Sequence, residues 1–276
     1  MQKISFYFLF VILLVGTLAC NKDESIRLSG KPDKITCSDN TAVSFSYQDD
    51  RLLRITESGS GSTIEFDYEG GELSGLSYRP TDPRMADGTA YQRFQKTGER
   101  KITVESGGEP ALDSSRMNEI ELDAEDFPIK ITEAGIYSIG GGGVITKVRE
   151  GEYYTLFTWD TSTKQLLKKE TCRIETSEVV ATYTYRYDNA PGIMSQIDCP
   201  IWLYTYWNHE RYYALGTYHA LFFGHTNNLV EATIEDELND RHEVLTYIYN
   251  YSPEGFPVSV SIQRSGAETM AIQIRY

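Results

Sequence analysis

The residues able to do chemistry in this chain are of few kinds: four histidines, four cysteines and forty carboxylates. A metal centre wants closely spaced ligands, such as two histidines one helical turn apart with a cysteine or carboxylate beside them. His219 and His225 stand six residues apart, His209 and His242 lie further off, and Glu210 and Glu243 each follow a histidine. That spacing predicts hydrogen-bonded or surface histidines, with no metal and no cofactor. A hydrolase needs a nucleophile paired with a base, or two carboxylates facing across a cleft. The sequence has no Gly-x-Ser-x-Gly elbow, and forty acids guarantee chance pairs. Gly140-Gly141-Gly142-Gly143 has no Gly-Lys-Ser/Thr behind it, so it reads as a turn between Ile139 and Val144 and not as a phosphate cradle. The acidic run Glu235-Asp236-Glu237, with Asp240, offers calcium-type ligands but lacks the EF-hand order, and reads as a solvated hairpin turn. These patterns predict a protein without enzymatic activity.

The strongest candidate for function is an aromatic cluster. Residues 193–227 read IMSQIDCPIWLYTYWNHERYYALGTYHALFFGHTN and carry Trp202, Tyr204, Tyr206, Trp207, Tyr212, Tyr213 and Tyr218. Neither strand alternation nor one helical period runs through the whole stretch, so it is expected to be an irregular or partly helical insertion. Exposed, these rings would stack on sugars or anchor a protein partner. Buried, they would be core between insertion and sheet, which is the commoner use of aromatic area. Trp202, Tyr204, Tyr206, Trp207, Tyr212 and Tyr213 are the expected ligand-binding residues.

The N-terminus gives an address. Residues 1–20, MQKISFYFLFVILLVGTLAC, put Lys3 before a nearly unbroken apolar run from Ile4 to Val15. That run is shorter than the roughly 20 residues a membrane span needs and matches a secretory signal. Thr17-Leu18-Ala19-Cys20 resembles the lipobox of bacterial lipoproteins, although the family's usual leucine three places before the cysteine is Thr17 here. The resemblance implies cleavage before Cys20 and acylation of its thiol, hence a membrane partner reached through lipid. The following Asn21-Lys22-Asp23-Glu24-Ser25 resembles the surface-export signal of Bacteroidota lipoproteins, which implies the outer face of the outer membrane. Removing residues 1–19, with their single Lys3, takes the formal charge from −14 to −15. So acidic a body repels nucleic acid, which is excluded as a partner. Cys37, Cys172 and Cys199 remain; outside the cytoplasm two of them can pair, and spacing does not choose which.

The elements that must carry these residues are β-strands. Val43-Ser44-Phe45-Ser46-Tyr47 leads through Gln48–Arg51 to Leu52-Leu53, and Ile64-Glu65-Phe66-Asp67-Tyr68 leads through Glu69–Glu72 to Leu73. The unit recurs at Tyr154–Leu167, at Thr182–Asn189 and at Leu245–Val260. Phe127-Pro128-Ile129 matches Phe256-Pro257-Val258, each with proline at a strand start, where its missing N–H breaks no ladder. Period-two alternation with Gly/Asp/Asn turns predicts successive antiparallel hairpins. The grammar resembles tyrosine-rich Bacteroidota lipoproteins with a domain of unknown function and, more loosely, YD/RHS-type repeats. The resemblance implies a long twisted antiparallel sheet of successive hairpins and no particular activity. Residues 79–118, rich in Pro, Gly, Asp and Arg, are expected to be loops around one or two strands. The organisation expected is a signal over 1–19, a lipidated cysteine and polar tether over 20–34, and one repetitive all-β domain over 35–276. The function expected is a cell-envelope binding module for a glycan or envelope protein; a structural scaffold ranks second, and a hydrolase with the insertion as its lid third.

Overall fold

The computed structural model describes residues 30–58, 61–79, 89–109, 114–139, 145–210, 226–265 and 267–276. Its strands are β1 (Lys34–Cys37), β2 (Ala42–Gln48), β3 (Arg51–Ser58), β4 (Thr63–Glu69), β5 (Glu72–Arg79) and β6 (Thr89–Gly98). There follow β7 (Lys101–Glu109), β8 (Ser114–Leu122), β9 (Pro128–Ile139), β10 (Ile145–Arg149), β11 (Tyr153–Asp160) and β12 (Gln165–Arg173). Then come β13 (Val179–Pro191), helix α1 (Ile201–Glu210), β14 (Asn227–Asp236), β15 (Arg241–Tyr251), β16 (Pro257–Arg264) and β17 (Ala267–Arg275).

All strand pairs are antiparallel, and all but β1–β17 and β9–β11 join neighbours in sequence; the sheet does not stay open. Four-residue β1 pairs on one edge with β17 (Ile35 opposite Ile274) and on the other with β2 (Ile35 opposite Val43). At the far side β9 carries β8 on one edge and both β10 and β11 on the other. Gly135 marks that change of partner: at φ +124° it lets the Arg149 carbonyl come within 2.2 Å of where a Cβ would stand. The result is a closed ring of 16 strands with β10 continuing the wall beside β9. The expected long twisted antiparallel sheet of successive hairpins is present, and its form is corrected: it closes into a barrel. The physical reason lies in the bulges, which raise the local twist and bend each hairpin inward.

Those bulges also explain the repeated sequence unit. Tyr47 faces Leu52 with Leu53 left over, Tyr68 faces Leu73 with Ser74 left over, and Trp159 faces Leu166 with Leu167 left over. Leu122 with Pro128, and Tyr251 with Pro257, repeat the arrangement at the two Phe-Pro units. The aromatic tip then bonds backward to an earlier unit. Tyr68 Oη donates to the Leu52 carbonyl (3.0 Å), Trp159 Nε1 to that of Pro128 (2.7 Å) and Tyr276 Oη to that of Pro257 (3.0 Å). A tyrosine suits this place because its ring is buried while its hydroxyl finds a carbonyl. All these turns lie at one mouth, called here the upper mouth.

Alternation sends the apolar face inward. Ile35, Val43, Leu52, Ile64, Val104, Ile120, Ile131 and Ile272 are all at 2 % exposure or less. Outward positions carry charge, in ion pairs such as Arg54–Glu65 (2.8 Å), Lys101–Glu119 (2.8 Å), Lys168–Glu170 (2.8 Å) and Arg186–Glu231 (3.4 Å). A membrane-spanning barrel has the opposite polarity, apolar outside and polar within. No helix among the described residues is long and apolar enough to cross a membrane.

The lumen is filled in its upper part by residues 192–206, which follow β13. Ile193, Met194, Ile197 and Cys199 are buried under the upper mouth, where the Asp198 N–H donates to the Asp50 carbonyl (2.9 Å). Helix α1 follows, with Trp202, Leu203, Tyr204, Thr205 and Tyr206 all buried. A helix buried through five successive positions is enclosed on all sides, as a plug in a barrel must be. The tether also ends here: Lys31 pairs with Asp50 (2.6 Å), and Tyr47 Oη donates to the Pro32 carbonyl (2.6 Å). The stretch 79–118, expected to hold one or two strands, contains β6, β7 and most of β8. Inward Gln92 breaks the apolar alternation of β6, so alternation alone shows fewer strands there.

Candidate functional site

Among the described residues, one side of the plug is left uncovered at the upper mouth. Between α1 and strands β4 to β8 opens a cleft of about 530 Å³. Its apolar wall is made by Trp202 and Ile201 of the helix and by Leu73, Phe94, Ile102 and Leu122 of the barrel. Each barrel residue there belongs to the inward set of its strand. Phe94 meets Trp202 edge to face, with ring centroids 4.9 Å apart, the arrangement favoured by aromatic quadrupoles.

The rim of the cleft is charged. Arg51, Glu69, Lys96, Asp126 and Asp198 line it. Arg51 lies 5.6 Å from the centre of the Tyr68 ring and 3.6 Å from Asp198 Oδ2, so it links wall and plug. Burial pushes the Tyr68 hydroxyl well above its ordinary range, with Cys199 and Asp198 adding to the shift and Arg51 opposing it, so it serves as a neutral donor. Asp126 sits in the β8–β9 turn, where Asp123 Oδ1 accepts from the N–H groups of Glu125 (2.8 Å) and Phe127 (3.0 Å).

Deeper in the lumen the plug is tied to the wall by polar groups. Tyr206 Oη accepts from Asn118 Nδ2 at 3.0 Å and from Gln92 Nε2 at 3.4 Å. All three residues are at 3 % exposure or less. Gln92 Nε2 also reaches Ser106 Oγ at 3.3 Å.

Of the aromatic residues singled out in the sequence, Trp202, Tyr204 and Tyr206 are placed together in the lumen. Trp202 alone of the three borders the cleft. The Trp207 side chain, Tyr212, Tyr213 and Tyr218 lie outside the described residues, as do Cys20, the glycine run at 140–143, and the side chains of His209, His219 and His225. Cys37, Cys172 and Cys199 are buried and form no disulfide with one another. Burial pushes the Cys199 thiol up to about 12. His242 stands on the outer wall with Nδ1 2.6 Å from Glu235 Oε2. Among the described residues no cluster of His, Cys, Asp and Glu is arranged to hold a metal ion. Asp236, read as part of a solvated turn, is instead at 1 % exposure and faces inward. The wall residues of the cleft give no sequence signal, since they are ordinary inward strand positions.

No family model matches the chain, and no curated protein does. Among solved structures it is similar to porin-like proteins of Bacteroides uniformis and Bacteroides vulgatus. Each is 12% identical with a TM-score of 0.39, covering 88% and 89% of this chain and 95% and 98% of theirs. It is also similar to part of a TcdB2-TccC3-Cdc42 structure, at 15% identity and TM-score 0.31, over 82% of this chain and 12% of that one. The chain thus spans a small fraction of that last structure, and at these scores the likeness supports no statement about activity.

Proposed function

We propose that this chain is a bacterial cell-envelope lipoprotein, held by acylated Cys20 at the outer membrane, whose plugged barrel is a non-enzymatic binding module for a glycan. The signal, the lipobox-like Thr17–Cys20 and the lysine and acids that follow support the address. The charged outer wall suits a body that stands in water and is attached through lipid alone.

The observation that carries the binding reading is the cleft of about 530 Å³ beside Trp202. Its size lies within the roughly 300–1,000 Å³ usual for ligand sites. A sugar presents an apolar ring face and a polar edge. The Trp202 and Phe94 wall matches the first, and Arg51, Glu69 and Asp198 offer hydrogen bonds to the second.

The test is a glycan array on the purified chain, followed by titration of any hit on wild type and Trp202→Phe. Saturable binding that weakens in the variant is expected. An array without any hit refutes the reading. A scaffold role is the second reading, favoured by the full burial of Tyr204 and Tyr206; it would show as stable co-purification with a membrane protein.

A further inference from the structure

Five seams between neighbouring hairpins obey one rule at the upper mouth. The ladder of the seam stops short, and a side chain crosses the gap above it. The last pairs are Lys34–Ser44, Arg54–Glu65, Lys130–Leu156, Glu231–Thr246 and Ser259–Gln273. Three places after the second partner stands an aromatic residue: Tyr47, Tyr68, Trp159, Tyr249 and Tyr276. It donates to the carbonyl two places before the first partner: Pro32 (2.6 Å), Leu52 (3.0 Å), Pro128 (2.7 Å), Leu229 (2.9 Å) and Pro257 (3.0 Å). The β5–β6 ladder also stops short, at Gly75–Arg93, while β5 runs on beside β4 and β6 beside β7. By the same count its stitch would join residue 96 to the Leu73 carbonyl. That residue is Lys96, and among the described residues no hydrogen bond crosses the gap. Both ends of the missing stitch, Leu73 and Lys96, line the cleft beside Trp202. On the outer face the same seam opens into a groove of about 840 Å³. Glu69, Ser74, Phe94 and Gln95 line cleft and groove alike, so the two meet through the seam. Gly75 stands in the outward row between Asp67 and Arg93 and puts no side chain into the groove.

We propose that the unstitched β5–β6 seam is a side slot through which one unbranched, uncharged glycan chain runs from the outer groove into the cleft. The protein then holds the interior of a polymer and not a single sugar. The proposal rests on the glycan reading of the cleft and adds the form of the glycan. At this seam the barrel forgoes both the buried ring and the hydrogen bond that close five others, and a passage through the wall stands in their place. Acids outnumber cations on both sides of the slot. Glu72, Asp126 and Asp198 line the cleft with Arg51 and Lys96, Asp67 and Glu105 line the groove with Arg79 and Arg93, and Glu69 borders both. An anionic chain is therefore repelled. A peptide strand would need a ladder, and only Glu72, Leu73 and Ser74 of β5 stand above the last pair, the shortest edge a strand can use. A sugar chain needs no ladder. Its ring faces stack on Trp202 and Phe94, while its hydroxyls accept from Lys96 and Gln95 and donate to the Leu73 carbonyl. The strands on either side of the slot leave no room for a branch.

The test is calorimetric titration of the purified full chain with linear glucan, mannan and xylan oligosaccharides of graded length. In the series that binds, affinity is expected to rise about tenfold or more, roughly 1.4 kcal/mol, from the shortest binding member to the longest, as the chain comes to fill groove as well as cleft. Lys96→Tyr puts the missing stitch back, with its hydroxyl donating to the Leu73 carbonyl. It is expected to raise the unfolding temperature by about 1–6 °C and to abolish the gain with length. An affinity that does not change with length overturns the proposal. So does a Lys96→Tyr protein that is no more stable than wild type, or one that keeps the gain. Binding confined to charged or branched glycans overturns the slot and leaves the glycan reading of the cleft in place. A protein that binds no glycan of any kind refutes that reading and the slot together.

Discussion

Replacing Tyr206 by Phe removes one oxygen from the middle of the lumen and changes nothing in ring volume. That oxygen accepts from Asn118 Nδ2 at 3.0 Å and from Gln92 Nε2 at 3.4 Å, on two strands of the wall. Asn118 is at 0 % exposure, so its amide hydrogen has no water to turn to. Depriving a buried donor of its acceptor costs about 1–3 kcal/mol. The Gln92 contact is long, and its Nε2 keeps Ser106 Oγ at 3.3 Å, so it adds little. For a domain of this size each kcal/mol moves the melting temperature by about 2–4 °C, so a drop of about 2–12 °C is expected. Urea unfolding of Tyr206→Phe, Asn118→Leu and the double variant is the assay. The double variant should show a coupling of about 0.5–3 kcal/mol between the two sites. A Tyr206→Phe protein within about 0.3 kcal/mol of wild type, with no coupling, would refute the placement of α1 in the lumen.

Leu203→Ala empties a fully buried helix position and should cost about 2–5 kcal/mol in the same unfolding experiment. Tyr68→Phe removes a unit-to-unit stitch to the Leu52 carbonyl and should cost about 1–3 kcal/mol, because Leu52 is at 0 % exposure and no water replaces the lost donor. Cys37, Cys172 and Cys199 should resist a thiol reagent in the native protein and react together in denaturant; fast native labelling of Cys199 would contradict its buried, raised thiol. His242 is held above its ordinary 6.5 chiefly by its hydrogen bond to Glu235, so the stability this pair adds is present below 6.5 and fades as pH rises through the folded value. Its NMR titration midpoint should fall in Glu235→Gln, and an unchanged midpoint would contradict the pairing.

Much of the wall was legible in the sequence, because alternation is a local property. The strands from Val43 to Leu76 and from Tyr153 to Val260 follow it closely, and the hairpin turns sit where Asp and Gly put them. The repeated Tyr–turn–Leu-Leu unit was visible as a pattern but not as its cause, a bulge that needs one aromatic to face the first of two strand residues. Closure was not legible, since it rests on four residues of β1 pairing with strands at both ends of the chain. The aromatic insertion could be read as core or as a binding face, and only its enclosure by the wall places Tyr204 and Tyr206 in the core. Buried Lys169 and Asp236 were hidden for a simpler reason. They count as polar in an alternation pattern, and polar reads as outward.

We propose a water-facing barrel that is attached to the membrane by lipid and does not span it. Detergent phase partitioning of wild type against Cys20→Ser, expressed in a bacterial envelope, tests that most directly. Wild type should enter the detergent phase, and Cys20→Ser should be folded and wholly in the aqueous phase. A Cys20→Ser protein that stays in the membrane and is extracted only by detergent would contradict the account, because the barrel wall itself would then be what holds it there.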